Sequence, residues 1–175
     1  MTSSPAQLAE QFTRWLPREP IPPQSPPATD GTPAQAPAVV PAPQGPCQLT
    51  DYSAKGYHLE VKVSPGGVVS AATLLDQNGF ALDTITGVDW IAENEMEVVY
   101  DYFHPSANLR VVVRARLPRG NPEIPTISGV FPGANWHERE THDFFGIRFL
   151  GHPNLTPLLL PEDADFHPLR KDFAA

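Results

Sequence analysis

The sequence predicts an α+β fold: a mostly antiparallel sheet with helices packed on one face, a proline-rich linker and an extended C-terminal tail. Three observations predict it. Tyr57-His-Leu-Glu-Val-Lys-Val63 alternates apolar and polar, as a half-buried strand does. Residues 95–102 and 109–116 are two longer alternating runs joined by the turn-rich connector Phe103–Asn108, which makes an antiparallel hairpin. Between and after these runs lie stretches of helical periodicity, and strands mixed with helices in this order give a layered α+β domain. At 175 residues the chain has room for one domain with a core.

Taken from the N-terminus, Ser4-Pro5-Ala6-Gln7 offers a capping serine, proline at the first helical position and glutamine where a capping box needs it. Leu8, Phe12 and Trp15 or Leu16 recur at helical spacing, so residues 5–16 should form a short amphipathic helix whose apolar face docks on the core or on a partner. Eleven of the 22 prolines then fall between Pro17 and Pro46. That segment is too poor in apolar side chains to offset its ordering entropy, and it reads as a polyproline-rich spacer rather than as a PxxP ligand. After the strand at 57–63, Ser64-Pro65 repeats the cap-plus-proline signal. Val68, Ala72 and Leu75 give a helical stripe ending at Asn78-Gly79, weakened by Gly66 and Gly67. Leu82 to Ile91 supplies a further strand, in which Gly87 is a weak point.

The hairpin carries its own register. Pairing positions whose numbers sum to 211 sets Met96 against Ala115, Val98 against Val113, Tyr100 against Val111 and Tyr102 against Leu109. On the other face it sets Asp101 against Arg110, Glu97 against Arg114 and Glu95 against Arg116. Opposed charges of this kind contribute roughly 0.2–1 kcal/mol per pair, and a slip of one residue would put every side chain on the wrong face. The three arginines are therefore read as partners of strand carboxylates, not as a phosphate-binding stripe.

Composition excludes several functions. A net charge of −8 argues against nucleic-acid binding, which needs a basic surface. Cys47 is the only cysteine, so neither a disulfide framework nor an iron–sulfur cluster held by this chain alone is expected. No basic-then-apolar leader opens the sequence, and no apolar run approaches the ~20 residues of a membrane span.

The densest chemistry lies in Trp136-His-Glu-Arg-Glu-Thr-His-Asp-Phe-Phe-Gly146. Asn135 is a suitable N-cap with Glu138 at the capping-box position, and Gly146 is a suitable stop, so a helix over about 136–145 is predicted. At i,i+4 spacing Arg139 can pair with Asp143, and Glu138 with His142. A zinc hydrolase helix would need histidines at i and i+4. His137 and His142 are at i and i+5, about 140° apart around an ideal helix, and Thr141 stands where the second ligand should be. Glu138 and Glu140 point to different sides, which removes a glycosidase-like acid pair.

The segments Glu138-Arg139-Glu140-x-x-Asp143-Phe144-Phe145-Gly146-Ile147, Gly151-His152-Pro153-Asn154-Leu155 and His167-Pro168-Leu169-Arg170-Lys171-Asp172-Phe173 together resemble the signature of the C-subunit family of NADH-quinone oxidoreductase, respiratory complex I. The resemblance is tight over 130–173 and looser over the strands of 57–117. It implies a chain without cofactor or chemistry of its own, seated in a peripheral arm on the cytoplasmic side of the membrane. The partners it implies are the large subunit that frames the quinone site and adjacent iron–sulfur subunits, with flavin and iron–sulfur clusters held by those partners. On this resemblance Glu138, Arg139, Glu140, Asp143, His152, Arg170 and Lys171 are expected to serve partner docking. The tail from 150 to 175 is expected to lie along a neighbour, beyond an α+β domain at 47–149. One departure stands out. Thr156 and Pro157 occupy positions that are usually basic in the respiratory subunit, and the related small subunit of membrane-bound [NiFe] hydrogenases and formate hydrogenlyase-type complexes varies more there. That relative, with nickel–iron in its large partner, is the alternative reading; a stand-alone metal-dependent hydrolase is the least supported.

Overall fold

The computed structural model describes residues 4–15 and 46–174; the proline-rich spacer expected at 17–46 lies, but for Pro46, outside the described residues. Helix α1 (Pro5–Trp15) opens with the capping box: the Ser4 N–H donates to Gln7 Oε1 at 2.8 Å and the Gln7 N–H to Ser4 Oγ at 3.3 Å. Leu8 and Phe12 are fully buried, so the apolar face docks on this chain's own core. Strand β1 (Cys47–Leu49) and the single turn α2 (Tyr52–Lys55) lead into β2 (Leu59–Val63). The two glycines after Ser64-Pro65 fall in a 3-10 turn, Pro65–Gly67, and α3 (Val68–Gln77) starts beyond them. The glycines shorten the α-helix rather than break it. Neither β1 nor α2 is visible in the sequence, because three and four residues are too few to show a period.

Strands β3 (Ala81–Trp90), β4 (Glu95–His104) and β5 (Leu109–Pro118) complete a five-stranded sheet in the order β1-β2-β5-β4-β3. All neighbours are antiparallel except β2 and β5, which run parallel. One face carries Leu59, Val61, Met96, Val98, Tyr100, Tyr102, Val111, Val113 and Ala115. These join Leu8, Phe12, Ala72, Leu75, Ala134 and Ile147 from the helices and loops in one apolar core.

The hairpin register differs from the expected one by two residues. Paired positions sum to 213: Met96 faces Leu117, Val98 faces Ala115, Glu97 faces Arg116, and Arg114 lies opposite Val99 rather than Glu97. The strands run on through Phe103 and His104, and the connector is four residues, closed by Asn108 at φ 50°. A two-residue slip keeps every side chain on its face, so alternation cannot distinguish the two pairings. Turn length decides, and asparagine tolerates the left-handed conformation the shorter turn needs. The arginines still find carboxylates, each bridging two. Arg116 pairs with Glu95 at 3.0 Å and Glu97 at 3.2 Å, Arg114 with Glu97 at 3.4 Å and Glu60 at 3.5 Å, and Arg110 with Asp101 and Asp83.

A second, two-stranded parallel sheet follows: β6 (Glu123–Pro125) pairs with β7 (Arg148–Leu150), and α4 (Ala134–Phe145) connects them. Gly87 is the contact point between α4 and β3. A Cβ there would lie 2.5 Å from the Phe145 ring, so the glycine admits an aromatic side chain that any larger residue would expel. What looks like a weak point of the strand is the seat of the charged helix.

Candidate functional site

Helix α4 starts at Ala134, two residues before the expected start, and its N-terminus has no side-chain cap. Glu138 does not close a capping box. It sits at the core-facing position between Ala134 and Thr141, fully buried, where Oε1 accepts the Ile127 N–H at 2.8 Å and Oε2 accepts the Thr126 hydroxyl. Nor do the i,i+4 pairs form: Arg139 and Asp143 both turn to the chain's own tail. The Arg139 guanidinium donates to the carbonyls of Thr156 at 2.9 Å and Pro157 at 2.8 Å. One oxygen of Asp143, Oδ2, accepts the consecutive N–H groups of Leu158, Leu159 and Leu160 at 2.8, 2.7 and 3.2 Å. Burial pushes the Asp143 carboxyl up, but those three N–H groups and nearby His142 outweigh it and hold the carboxyl below its ordinary range.

The end of α4 shows why the tail lies where it does. A helix leaves its last four carbonyls without partners. Here the His142 carbonyl accepts the Gly146 N–H, that of Asp143 accepts His167 Nδ1–H at 2.8 Å, that of Phe144 accepts the Leu169 N–H at 3.1 Å, and that of Phe145 accepts Arg170 Nε–H at 2.8 Å. Three of the four acceptors are thus satisfied by the tail motif His167–Arg170. Gly146 makes this possible twice over. Its φ is 73°, and a Cβ would stand 2.5 Å from His167 and 2.6 Å from Arg170.

A further anchor was not foreseen from sequence. Asp89, fully buried at the end of β3, pairs with Arg119 at 2.7 Å and accepts the Lys171 N–H at 2.8 Å, while Arg119 also reaches Asp172 at 2.6 Å. The Arg119 guanidinium holds the Asp89 carboxyl below its ordinary range. One signal was present: Asp89 continues the alternation of Ile85 and Gly87 on the core face, where a charge requires a buried partner.

Of the seven residues singled out for docking, Glu138, Arg139, Asp143, His152 and Arg170 make contacts within the chain. His152 lies 3.8 Å from Glu138, both side chains fully enclosed. Glu140 is exposed, and no contact holds the Lys171 ammonium among the described residues. Around them the clamped tail turns apolar side chains outward: Leu159 is 61 % exposed, Leu169 52 %, Phe166 41 % and Phe173 39 %, with Trp136 of α4 at 60 %. Among the described residues, no three His, Cys, Asp or Glu gather as a metal site would require, and no helix is long and apolar enough to cross a membrane.

The family described as the 30 Kd subunit of the respiratory-chain NADH dehydrogenase matches residues 61–175, which include most of the sheet, the charged helix and the tail. The chain belongs to that family. It is 41 % identical over 119 residues to the NADH-quinone oxidoreductase C subunit of Roseiflexus sp. (strain RS-1), covering 65 % of this chain and 68 % of that one. It is 45 % identical over 96 residues to the F(420)H(2) dehydrogenase C subunit of Methanosarcina mazei, covering 53 % and 59 %. Among solved structures, a chain of the membrane-bound sulfane sulfur reductase, an archaeal respiratory membrane complex, superposes with a TM-score of 0.61 at 30 % identity over 66 % of this chain and 71 % of that one. A trypsin-resistant fragment of Nqo5 gives 0.51 at 30 % identity, over 59 % and 92 %. The resemblance read from three short motifs is thereby established for most of the described chain. The matched relatives are subunits of multisubunit respiratory complexes that differ in the compound they oxidise or reduce.

Proposed function

We propose that this chain is a non-catalytic structural subunit of a complex I-type NADH-quinone oxidoreductase. It docks, at the cytoplasmic face of the membrane and without spanning it, on the large subunit that frames the quinone site. Electron transfer from NADH to quinone then runs through flavin and iron–sulfur clusters of the partner subunits. The observation that carries the reading is the tail. It is fixed by backbone and side-chain bonds from α4, yet Leu159, Phe166, Leu169 and Phe173 face outward. A rigid segment presenting large apolar groups binds without the ordering cost of a flexible one. Glu140 and Lys171, whose side chains are unengaged among the described residues, are suited to the polar rim of the same interface. The i,i+4 ion pairs are not what docks; they were never formed.

The experiment is assembly with Leu159→Asp, Phe166→Asp and Leu169→Asp together. The isolated chain should keep its thermal transition, and the tagged variant should fail to co-purify with the other subunits. Co-purification at the wild-type level would overturn the reading. The second reading, the same subunit in a sibling complex with another donor or acceptor, is favoured by the F(420)H(2) dehydrogenase and sulfane sulfur reductase relatives. Whether a flavoprotein that oxidises NADH co-purifies with the chain separates the two.

A further inference from the structure

Glu138 is a carboxyl group buried completely in the core without a cation. Its two oxygens accept from the Ile127 N–H and the Thr126 hydroxyl, and among the described residues no arginine or lysine nitrogen comes within ion-pair distance. The one group able to neutralise it is His152, and the bonds of that ring fix its state. His152 Nδ1 accepts the Asn154 N–H at 3.0 Å, so it carries no proton, and Nε2 lies 3.2 Å from the Asn135 carbonyl, to which it donates. The ring is therefore the neutral Nε2–H tautomer, and it offers Glu138 no charge.

The hydroxyls on the other side accommodate a proton. Thr126 Oγ1 lies 2.8 Å from Ser128 Oγ and also accepts the Ser128 N–H at 3.1 Å. With the carboxyl protonated, its O–H donates to Thr126 and Thr126 donates to Ser128. With it ionised, both hydroxyls turn round and the charge stays in the core. The chain can run in either direction, and it connects the enclosed carboxyl to a half-buried serine.

We propose that Glu138 is a single-proton binding site that controls how firmly the turn His152–Leu155 is seated on α4. Protonated, Glu138 leaves His152 neutral and the turn closed by its ring. When the proton leaves, the carboxylate stays in the core with no cation to neutralise it, because the neutral His152 ring 3.8 Å away carries no charge. Lifting that ring off with the turn lets water reach the charge, and the turn opens. The titratable groups facing the site are few. Tyr100 and Tyr102 face it from β4, and the fully buried Tyr100 hydroxyl has no partner among the described residues. From the tail side there is His152, and on the same helix Arg139 and His142 act on His152, opposing its protonation. Burial raises the Glu138 carboxyl to about 7, against the two bonds that lower it, and burial lowers His152. A carboxyl whose affinity for protons is higher in the seated state favours that state fully below its unfolded value near 4.5. The contribution is lost as pH rises through about 7.

The test uses the full chain labelled with 13C and 15N. The Glu138 carboxyl carbon should titrate near neutrality, with the His152 ring as the Nε2–H tautomer on the acid side. Exchange of the Asn154 and Leu155 amides, corrected for its intrinsic pH dependence, should quicken about tenfold between pH 6 and 8. Glu138→Gln, which carries the protonated group's donor permanently, should show no such acceleration. A Glu138 carboxyl already ionised at pH 5.5, or equal acceleration in Glu138→Gln, would overturn the proposal. Should that variant not fold, the carboxyl titration of the unmodified chain decides alone.

Discussion

At Gly146 a single hydrogen atom decides whether the tail can lie against its helix. Gly146→Ala puts a methyl group into His167 and Arg170 and strains a backbone at φ 73°. The helix itself should survive, because its last bond uses only the backbone N–H of this residue, while the three carbonyl bonds from the tail should be lost. Limited proteolysis should then cut between residues 153 and 173 well before the core, whereas the unaltered chain resists there. Asp143 makes a complementary case, since it is a carboxylate held below its ordinary range. Its stabilisation is present above the unfolded value of 3.8 and is lost as pH falls through the lower folded one. Asp143→Asn should remove that acid-side loss and, by weakening three N–H bonds, lower stability near neutrality by about 1–3 kcal/mol. Denaturant melts at pH 3 and pH 7 compare the two. Sequence alone could name Asp143 and Arg139 as important but not their partners. Those partners are backbone groups 15 to 18 residues further on, and backbone atoms leave no trace in a residue pattern.

On the scale of elements, the sequence shows strands and helices where the apolar period is long enough. It located β2, α3, β3, β4 and β5, and it missed β1, β6 and β7, each three residues long. Register was recoverable only modulo two, because the alternation that sets faces repeats every two residues. The register at 213 predicts that Glu97 is coupled to Arg116 across the strands and to Arg114 diagonally, by roughly 0.5–1 kcal/mol each. Two double-mutant cycles to alanine measure this. Appreciable coupling to Arg114 with none to Arg116 would restore the 211 pairing. Gly87 carries the other prediction at this scale. Gly87→Ala sets a methyl group within 2.9 Å of three Phe145 ring atoms, and overpacking of that sort costs about 1–3 kcal/mol. A strand residue more favourable in isolation should therefore lower the melting temperature, and Phe145→Leu in the same chain should recover part of the loss.

For the molecule as a whole, the question is how α1 stays attached across residues 16–45. Leu8 and Phe12 are fully buried, and their burial stabilises docking by about 1.5–3 kcal/mol each. Against this stands the entropy of closing a connection of about 30 residues, roughly 3 kcal/mol beyond a constant by its length alone. The balance is small, so α1 should open as a local unit while the sheet stays folded. That expectation has a signature. Phe12→Ala alone should cost no more than the free energy of docking, and Leu8→Ala with Phe12→Ala should cost little beyond it, because the helix is already off. Two independent core sites would instead add, toward about 5 kcal/mol or more. Removing residues 1–16 should match the double variant in the global transition, and exchange of the α1 amides should be fast beside those of β4 and β5. Additive losses, or collapse of the sheet on removal of α1, would mean that the N-terminal helix belongs to the cooperative core and is no appendage to it.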